Sequence, residues 1–147
     1  MRGPPVMMPS IRELIPQAGL MCLLERVIEW DETRVVAGSA THRRGDNPLR
    51  RDGHLDSVHL CEYGAQAMAV HGGLLAHRDG RRAAPGLLVS LRDVWLVGGA
   101  IEELGGELQV AATRLHGDAA GWQYAFEVTH AGSRLASGRA AVVLRRV

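Results

Sequence analysis

The longest apolar stretch of the chain covers residues 60–77 and contains no proline. Before His71, its polar side chains are limited to Glu62, Tyr63 and Gln66. A helix without a broad polar face is normally buried on most sides. The pattern therefore predicts one long helix that the rest of the chain encloses.

Shorter segments rich in β-branched and aliphatic residues lie on both sides of this helix. Polar or glycine-rich turns separate them, which is typical of antiparallel strands joined by short turns. Residues 123–129 alternate regularly, so one face of that strand should be buried. A helix that is apolar all round is most economically buried when the sheet curls around it. The predicted strands are residues 21–30, 34–42, 86–97, 107–115, 122–130 and 135–145.

The remaining segments are predicted to be short or irregular. Residues 1–9 contain three prolines and are expected to be irregular. Ser10 and Glu13 have the spacing of a capping box, which predicts a helical turn over residues 11–15. Residues 43–57 form a charged loop that leads into the long helix, with Asp56 or Ser57 as its N-cap.

Length and composition exclude several classes of protein. The 147 residues fit one domain, residues 1–147, and the net charge of +1 favours neither nucleic-acid nor membrane binding. Two cysteines are too few for a disulfide framework, and the first nine residues lack the apolar run of a signal peptide. We therefore expect a cytoplasmic protein.

The strongest candidate for chemistry is Glu62. A carboxyl group in apolar surroundings can deliver a proton near neutral pH, whereas a carboxylate at a helix N-terminus can also be merely a favourable charge. Gln66 lies one turn later on the same face. It is expected either to orient Glu62 or the substrate, or to be a buried amide bonded to backbone.

Three segments resemble those of 3-hydroxyacyl-acyl-carrier-protein dehydratases. Residues 21–27, Met-Cys-Leu-Leu-Glu-Arg-Val, resemble the Met-x-Leu-Leu-Asp-Arg-Val of the first strand in that family. Residues 62–66, Glu-Tyr-Gly-Ala-Gln, resemble its central-helix Glu-x-x-Ala-Gln, and residues 85–92 resemble the strand that follows. The order of these three segments resembles that of hotdog-fold proteins. It resembles in particular the divergent branch of these dehydratases that is found with aryl-polyene and related pigment clusters.

This resemblance implies an α+β fold with an antiparallel sheet wrapped around one central helix. It also implies dehydration of 3-hydroxyacyl thioesters carried on the phosphopantetheine of acyl carrier protein, with no other cofactor. The expected assembly is a homodimer or larger homo-oligomer with each active site between subunits. Two alternatives are an acyl thioesterase that uses Glu62 as base or nucleophile, and a catalytically silent acyl-binding or partner subunit.

The catalytic histidine of that family has no counterpart at the matching position of this sequence. The dehydratases carry a His-Phe-Pro-Gly loop whose histidine lies fourteen residues before the helix glutamate, and this position is Pro48 here. The candidates to face Glu62 are His42, Asn47, His54 and His59. His42 is preferred, because it is expected at a strand end, which positions a side chain more rigidly than a loop tip.

Two further readings concern the loop before the helix. A metal site of His54, His59 and Cys61 fits no standard zinc spacing. Arginines cluster in the loop and could form a docking site for an acidic carrier protein, or could instead pair with Asp46 and Asp52 in a solvated loop. These docking candidates are Arg43, Arg44, Arg50 and Arg51.

Overall fold

The computed structural model describes residues 8–81 and 86–144. In it, one long helix lies against a six-stranded antiparallel sheet whose strand order is β1-β2-β4-β5-β6-β3. The helices are α1 (Ile11–Leu14) and α2 (Leu60–Arg78). The strands are β1 (Arg26–Trp30), β2 (Arg34–Ser39), β3 (Gly86–Leu96), β4 (Leu108–Gly117), β5 (Gly121–His130) and β6 (Ser133–Leu144).

The predicted central helix and the curled sheet are confirmed. Helix α2 contacts strands β2, β4, β5 and β6, and most of its side chains are buried. At Gly64, a Cβ atom would lie 2.5 Å from the ring of Phe126 on β5, which is closer than carbon atoms can approach. The glycine therefore lets the helix seat directly on the sheet.

Several predicted boundaries are wrong in a way that affects the site. The first strand begins at Arg26, because Gly19–Met21 forms a 3₁₀ turn and the next four residues are irregular. Strand β2 ends at Ser39 and a second 3₁₀ turn, Thr41–Arg43, follows it. Consequently the segments before β1 and after β2 are not strands but loops and turns, and hydrogen bonds from side chains hold them in place.

The predicted caps also differ in detail. Ser10 precedes α1 but its side chain makes no capping bond. Asp56 caps a 3₁₀ turn, Ser57–His59, through a 2.9 Å hydrogen bond from the backbone nitrogen of Val58. This turn continues directly into α2, so Asp56 caps the whole helical segment.

One edge of the sheet and the extent of the described residues both bear on how the protein could assemble. Among the described strands, β3 pairs with β6 alone and lies at one end of the sheet, so its other edge has no strand partner within residues 8–81 and 86–144. Residue 145, predicted as the end of the last strand, and most of residues 1–9 lie outside the described residues. Among residues 8–81 and 86–144, none of the helices has the length and hydropathy that a membrane span requires.

Candidate active site

Glu62 lies in the first turn of α2 and is half-buried. Its Oε1 atom accepts a hydrogen bond of 3.1 Å from Nε2 of Gln66, which lies one turn later on the same face of the helix. Gln66 is fully buried. The structure thus brings the two candidate residues of the helix into direct contact.

The side-chain amide of Gln66 has only one orientation that satisfies its neighbours. Its Oε1 accepts from the backbone nitrogen of Leu23 at 2.9 Å, and its Nε2 donates to the carbonyl oxygen of Met21 at 2.7 Å. A backbone N–H can only donate and a carbonyl can only accept, so the amide cannot be flipped. Oε1 of Glu62 is therefore the acceptor in this contact, and Oε2 lies outside this hydrogen bond.

The residue after Glu62 anchors the loop that precedes the helix. Tyr63 is fully buried, and its hydroxyl lies 2.7 Å from Oγ1 of Thr41 and 3.0 Å from Nδ2 of Asn47. Burial raises the pKa of Tyr63, so the phenol stays neutral. Asn47 also donates to the carbonyl oxygen of Thr41 and accepts from the backbone nitrogen of Leu49.

Asn47 therefore has a structural role, because its side chain joins the loop before α2 to Tyr63 and to the backbone of Thr41. Both hydrogens of its amide are used in the network with Tyr63, and among the described contacts none joins Asn47 to Glu62. Tyr63 and Thr41 were not among the site residues that the sequence predicted. The available signal was a tyrosine in an otherwise apolar helix, because a buried hydroxyl needs a partner.

His42 lies in the 3₁₀ turn after β2 and not at a strand end, so the geometric reason for preferring it as the base is wrong. Its side chain is fully buried, and its Nε2 donates to the carbonyl oxygen of Leu104 at 2.8 Å. Nδ1 is buried and has no partner among the described residues. Burial lowers the pKa of His42, so the ring is neutral. Its role as base stays a prediction.

The other two histidine candidates have different surroundings. His54 is exposed, with Nδ1 3.1 Å from Oε2 of Glu102. His59 is half-buried at the residue that precedes α2. Burial raises the pKa of Cys61, which disfavours the thiolate that a nucleophile or metal ligand requires. Across the described ranges, no group of three His, Cys, Asp or Glu side chains could hold a metal ion.

The four arginines of the loop are not equivalent. Arg44 pairs with Asp46 through two hydrogen bonds of 3.0 and 3.1 Å. Arg50 and Arg51 donate instead to nearby backbone carbonyl groups. Arg43 is exposed. Of the two acidic residues expected to pair with these arginines, Asp46 does so. Arg50 and Arg51 instead hold the backbone of the loop in its conformation.

Two cavities of the described chain do not enclose Glu62. One of about 350 Å³ lies on the outer face of the sheet and is lined by Arg34, Ala125 and Arg139, among others. Another of about 210 Å³ lies beside α1, next to Cys22 and Thr41. Glu62 lines neither of these two cavities.

A six-stranded antiparallel sheet around one central helix that carries a carboxyl group in its first turn defines a protein of the hotdog fold. The chain belongs to the ApeP-like family: the family model described as ApeP dehydratase matches residues 9–145. Both the fold and the resemblance to dehydratases that the motifs indicated are confirmed.

Solved structures agree with this assignment at the level of the fold. The dehydratase heterocomplex ApeI:P from Xenorhabdus doucetiae has a chain that is 23% identical, with a TM-score of 0.85 and coverage of 95% of this chain and 93% of that one. AziG of S. sahachiroi is 20% identical, with a TM-score of 0.61 and coverage of 86% and 94%. Zebra fish thioesterase superfamily member 2 is 17% identical, with a TM-score of 0.64 and coverage of 92% and 93%. No curated protein sequence gives a significant match.

Proposed function

We propose that this protein dehydrates 3-hydroxyacyl thioesters carried on acyl carrier protein. The observation that supports this most directly is the contact of Glu62 with Gln66, within a chain of the ApeP-like dehydratase family. The contact holds Oε1 as an acceptor and leaves Oε2 to protonate the departing hydroxyl group. Such positioned proton transfer contributes about 10²–10⁴-fold to a rate.

The reaction needs two protein groups. A base takes the proton from C2, the electron pair of that bond forms the C2=C3 double bond, and the C3–O bond breaks. Glu62 supplies a proton to the leaving hydroxyl, which departs as water. No redox cofactor is required, because C2 is formally oxidised and C3 reduced by the same amount, so the acyl group undergoes no net oxidation or reduction. In this proposal the acyl group stays on the phosphopantetheine of the carrier.

The exposed side of α2 offers room for an acyl chain beside Glu62. The half-buried residues on this side are small up to Gly72, where an added Cβ atom would have nothing within 4 Å. Residues that follow one another at intervals of three or four share one side of a helix. This side consists of Cys61, Ala65, Ala69 and Gly72, and Leu75 ends it.

The surface that closes the site is proposed to come from a second subunit. The open edge of β3 carries exposed apolar side chains, including Leu91, Val94 and Trp95. Exposed strand edges with apolar side chains tend to pair with another chain. A homodimer satisfies this edge, and so does a heteromer, since the similar chain of ApeI:P belongs to a heterocomplex. Cytoplasmic location and a place in aryl-polyene or related pigment biosynthesis are further parts of the proposal.

A catalytically silent partner subunit is the second candidate. The loop position that carries histidine in the standard dehydratases is Pro48, and the neighbouring Asn47 is committed to the network around Tyr63. In that case Glu62 would bind or orient an acyl group, and a homologous subunit would supply the chemistry.

Incubation with a 3-hydroxyacyl carrier protein, followed by intact-protein mass spectrometry, tests these alternatives. Dehydration removes the mass of one water from the acyl carrier. Release of the free thiol would indicate a thioesterase, and an unchanged mass would indicate a silent subunit. Glu62→Gln should abolish the water loss and keep the fold, whereas Glu127→Gln, at an exposed position within β5, serves as the matched control.

A further inference from the structure

The outer face of the sheet, on the side away from α2, carries its charged side chains in two lines across the strands. Residues that pair across neighbouring strands lie side by side, and every second residue of a strand lies on the same face. The first line, the arginine row, crosses β2, β4, β5, β6 and β3 through Arg34, Thr113, Ala125, Arg139 and Arg92. The second line, the glutamate row, crosses all six strands through Glu29, Val36, Ala111, Glu127, Ser137 and Trp95.

The two rows differ in the sign of their charge. The charged members of the first row are all arginines, and those of the second row are both glutamates. Asp93, which follows Arg92 in the irregular part of β3, adds one carboxylate beside the arginine row. The rows are two residues apart on each strand, which is about 7 Å at a rise of about 3.4 Å per residue. A positive band therefore runs beside a negative band on this face.

The charges of the two rows are only partly compensated within the chain. Arg34 lies 3.4 Å from Glu29, and both side chains are exposed. Arg139 lies directly opposite Arg92, and like charges at such positions destabilise a sheet. Within residues 8–81 and 86–144, neither Arg139 nor Glu127 forms a salt bridge. A carboxylate from a second molecule would relieve the repulsion between Arg139 and Arg92.

The centre of the face is shallow and made of small side chains. A cavity of about 350 Å³ lies there, with Arg34 on one side and Arg139 on the other. These arginines are three strand spacings apart, or roughly 14 Å. Two sheets that pack face to face lie about 10 Å apart, and small side chains between them permit that approach. The small residues that line the cavity are Ala111, Thr113, Ala125 and Ser137.

We propose that this face binds a second copy of the chain, sheet against sheet. A two-fold axis that lies in the interface, parallel to the rows, brings the arginine row of each copy opposite the glutamate row of the other. Arg139 of one copy then lies diagonally opposite Glu127 of the other, and the symmetry repeats this contact. An acidic carrier protein would match the arginine row alone and would be repelled by the neighbouring glutamates. The inference is independent of the proposed reaction, and the face is distinct from the open edge of β3.

Reversing one charge in each row tests this assembly. Arg139→Glu and Glu127→Arg each place like charges opposite one another across the two-fold axis. In sedimentation at micromolar concentration and low ionic strength, each variant should have half the mass of the wild type. An equimolar mixture of the two variants should recover the wild-type mass, because the charges introduced in the two chains are opposite. Pairing within one chain cannot produce this recovery, since each variant chain carries like charges at positions 127 and 139.

A milder variant covers the case in which a reversed charge prevents folding. Arg139→Gln keeps most of the side chain and removes its charge. It should raise the dissociation constant of the assembly by a factor of roughly 2–30, because an exposed ion pair is lost twice. Arg81→Glu and Glu103→Arg alter exposed positions outside both rows and change the net charge by the same amounts as the two reversals. Both should keep the wild-type mass.

Three outcomes would overturn the proposal. The first is a wild-type mass equal to that of Arg139→Glu and Glu127→Arg, with no change of dissociation constant in Arg139→Gln. The second is a mixture of the two reversed variants that stays at half the wild-type mass. The third is an Arg139→Glu protein that keeps its mass and loses binding to an acidic carrier protein, which would assign the face to the carrier. Failure of the proposed dehydration is a separate result, because Glu62 lies on the other side of the sheet.

Discussion

Nε2 of Gln66 donates a hydrogen bond of 3.1 Å to Oε1 of Glu62, while the same amide holds the backbone of Leu23 and Met21. One side chain therefore sets the orientation of the proposed acid and fixes the irregular segment before β1. Gln66→Leu should leave the buried N–H of Leu23 and the partly buried carbonyl of Met21 without partners, at a cost of up to about 1–3 kcal/mol each in the free energy of unfolding. Chemical denaturation measures this loss, and a stability within 0.5 kcal/mol of the wild type, about the range of a surface substitution, would contradict it.

The two glycines of α2 should respond in opposite directions to the same substitution. Gly64→Ala places a methyl group against the ring of Phe126, and we expect it to lower the free energy of unfolding by about 1–3 kcal/mol. Gly72→Ala meets nothing within 4 Å and should raise it by up to about 1 kcal/mol through helix propensity. Denaturant titration of both variants checks the pair. Equal effects would mean that helix propensity, and not the contact with β5, dominates at Gly64.

Buried histidines should make the protein less stable in mild acid. Nε2 of His71 donates to the carbonyl of Asp31 at 2.9 Å, so Nδ1 accepts from the hydroxyl of Tyr124 at 2.8 Å. Burial lowers the pKa of His71 below its ordinary value of 6.5 and raises that of Tyr124 to about 12. The unfolded chain therefore binds a proton below pH 6.5 that the folded chain does not, and stability present above this pH is lost as the pH falls.

The slope of the free energy of unfolding against pH identifies the histidine responsible for the loss of stability in acid. Each such histidine contributes at most about 1.4 kcal/mol per pH unit, and His42, whose pKa burial also lowers, acts in the same direction. Unfolding measured between pH 7.5 and 5.5 should show a shallower dependence in His71→Gln than in the wild type. His77→Gln should retain the wild-type slope, and an unchanged slope in His71→Gln would assign the acid sensitivity elsewhere.

The open edge of β3 predicts association. Leu91→Glu should shift the protein toward monomer in sedimentation, because a charge is placed on an exposed apolar edge. Leu115→Glu is the matched control, since Leu115 is equally exposed but lies on β4 in the interior of the sheet. A wild-type protein that remains monomeric at micromolar concentration would contradict both the dimer and an active site shared between subunits.

The arginine loop predicts a salt-dependent step with the carrier. Arg43→Glu with Arg44→Glu should lower kcat/KM for carrier-bound substrate at low ionic strength and spare a small soluble thioester, because charge on an exposed rim steers association. Arg50→Glu with Arg51→Glu should instead reduce both, because these side chains bond the backbone of the loop. Equal losses in the first variant on both substrates would exclude carrier docking at Arg43 and Arg44.

The sequence by itself determined the fold. A proline-free apolar helix flanked by alternating segments allows few ways to bury its surface, and the periodicities of 3.6 and 2 place Glu62 and Gln66 on one face of a helix enclosed by antiparallel strands. Motif order added the dehydratase family. These features depend on neighbours along the chain, which is why local patterns could carry them.

Only the tertiary structure decided the partners of the site residues. The bond between Tyr63 and Thr41 spans 22 residues, and that between His54 and Glu102 spans 48. No periodicity relates positions so far apart, since loops bring them together by backbone geometry that the sequence pattern does not specify. The preference for His42 assumed a strand that ends three residues later than β2 does. The bond of the His42 side chain to the carbonyl of Leu104 joins residues 62 positions apart, which no local pattern indicates.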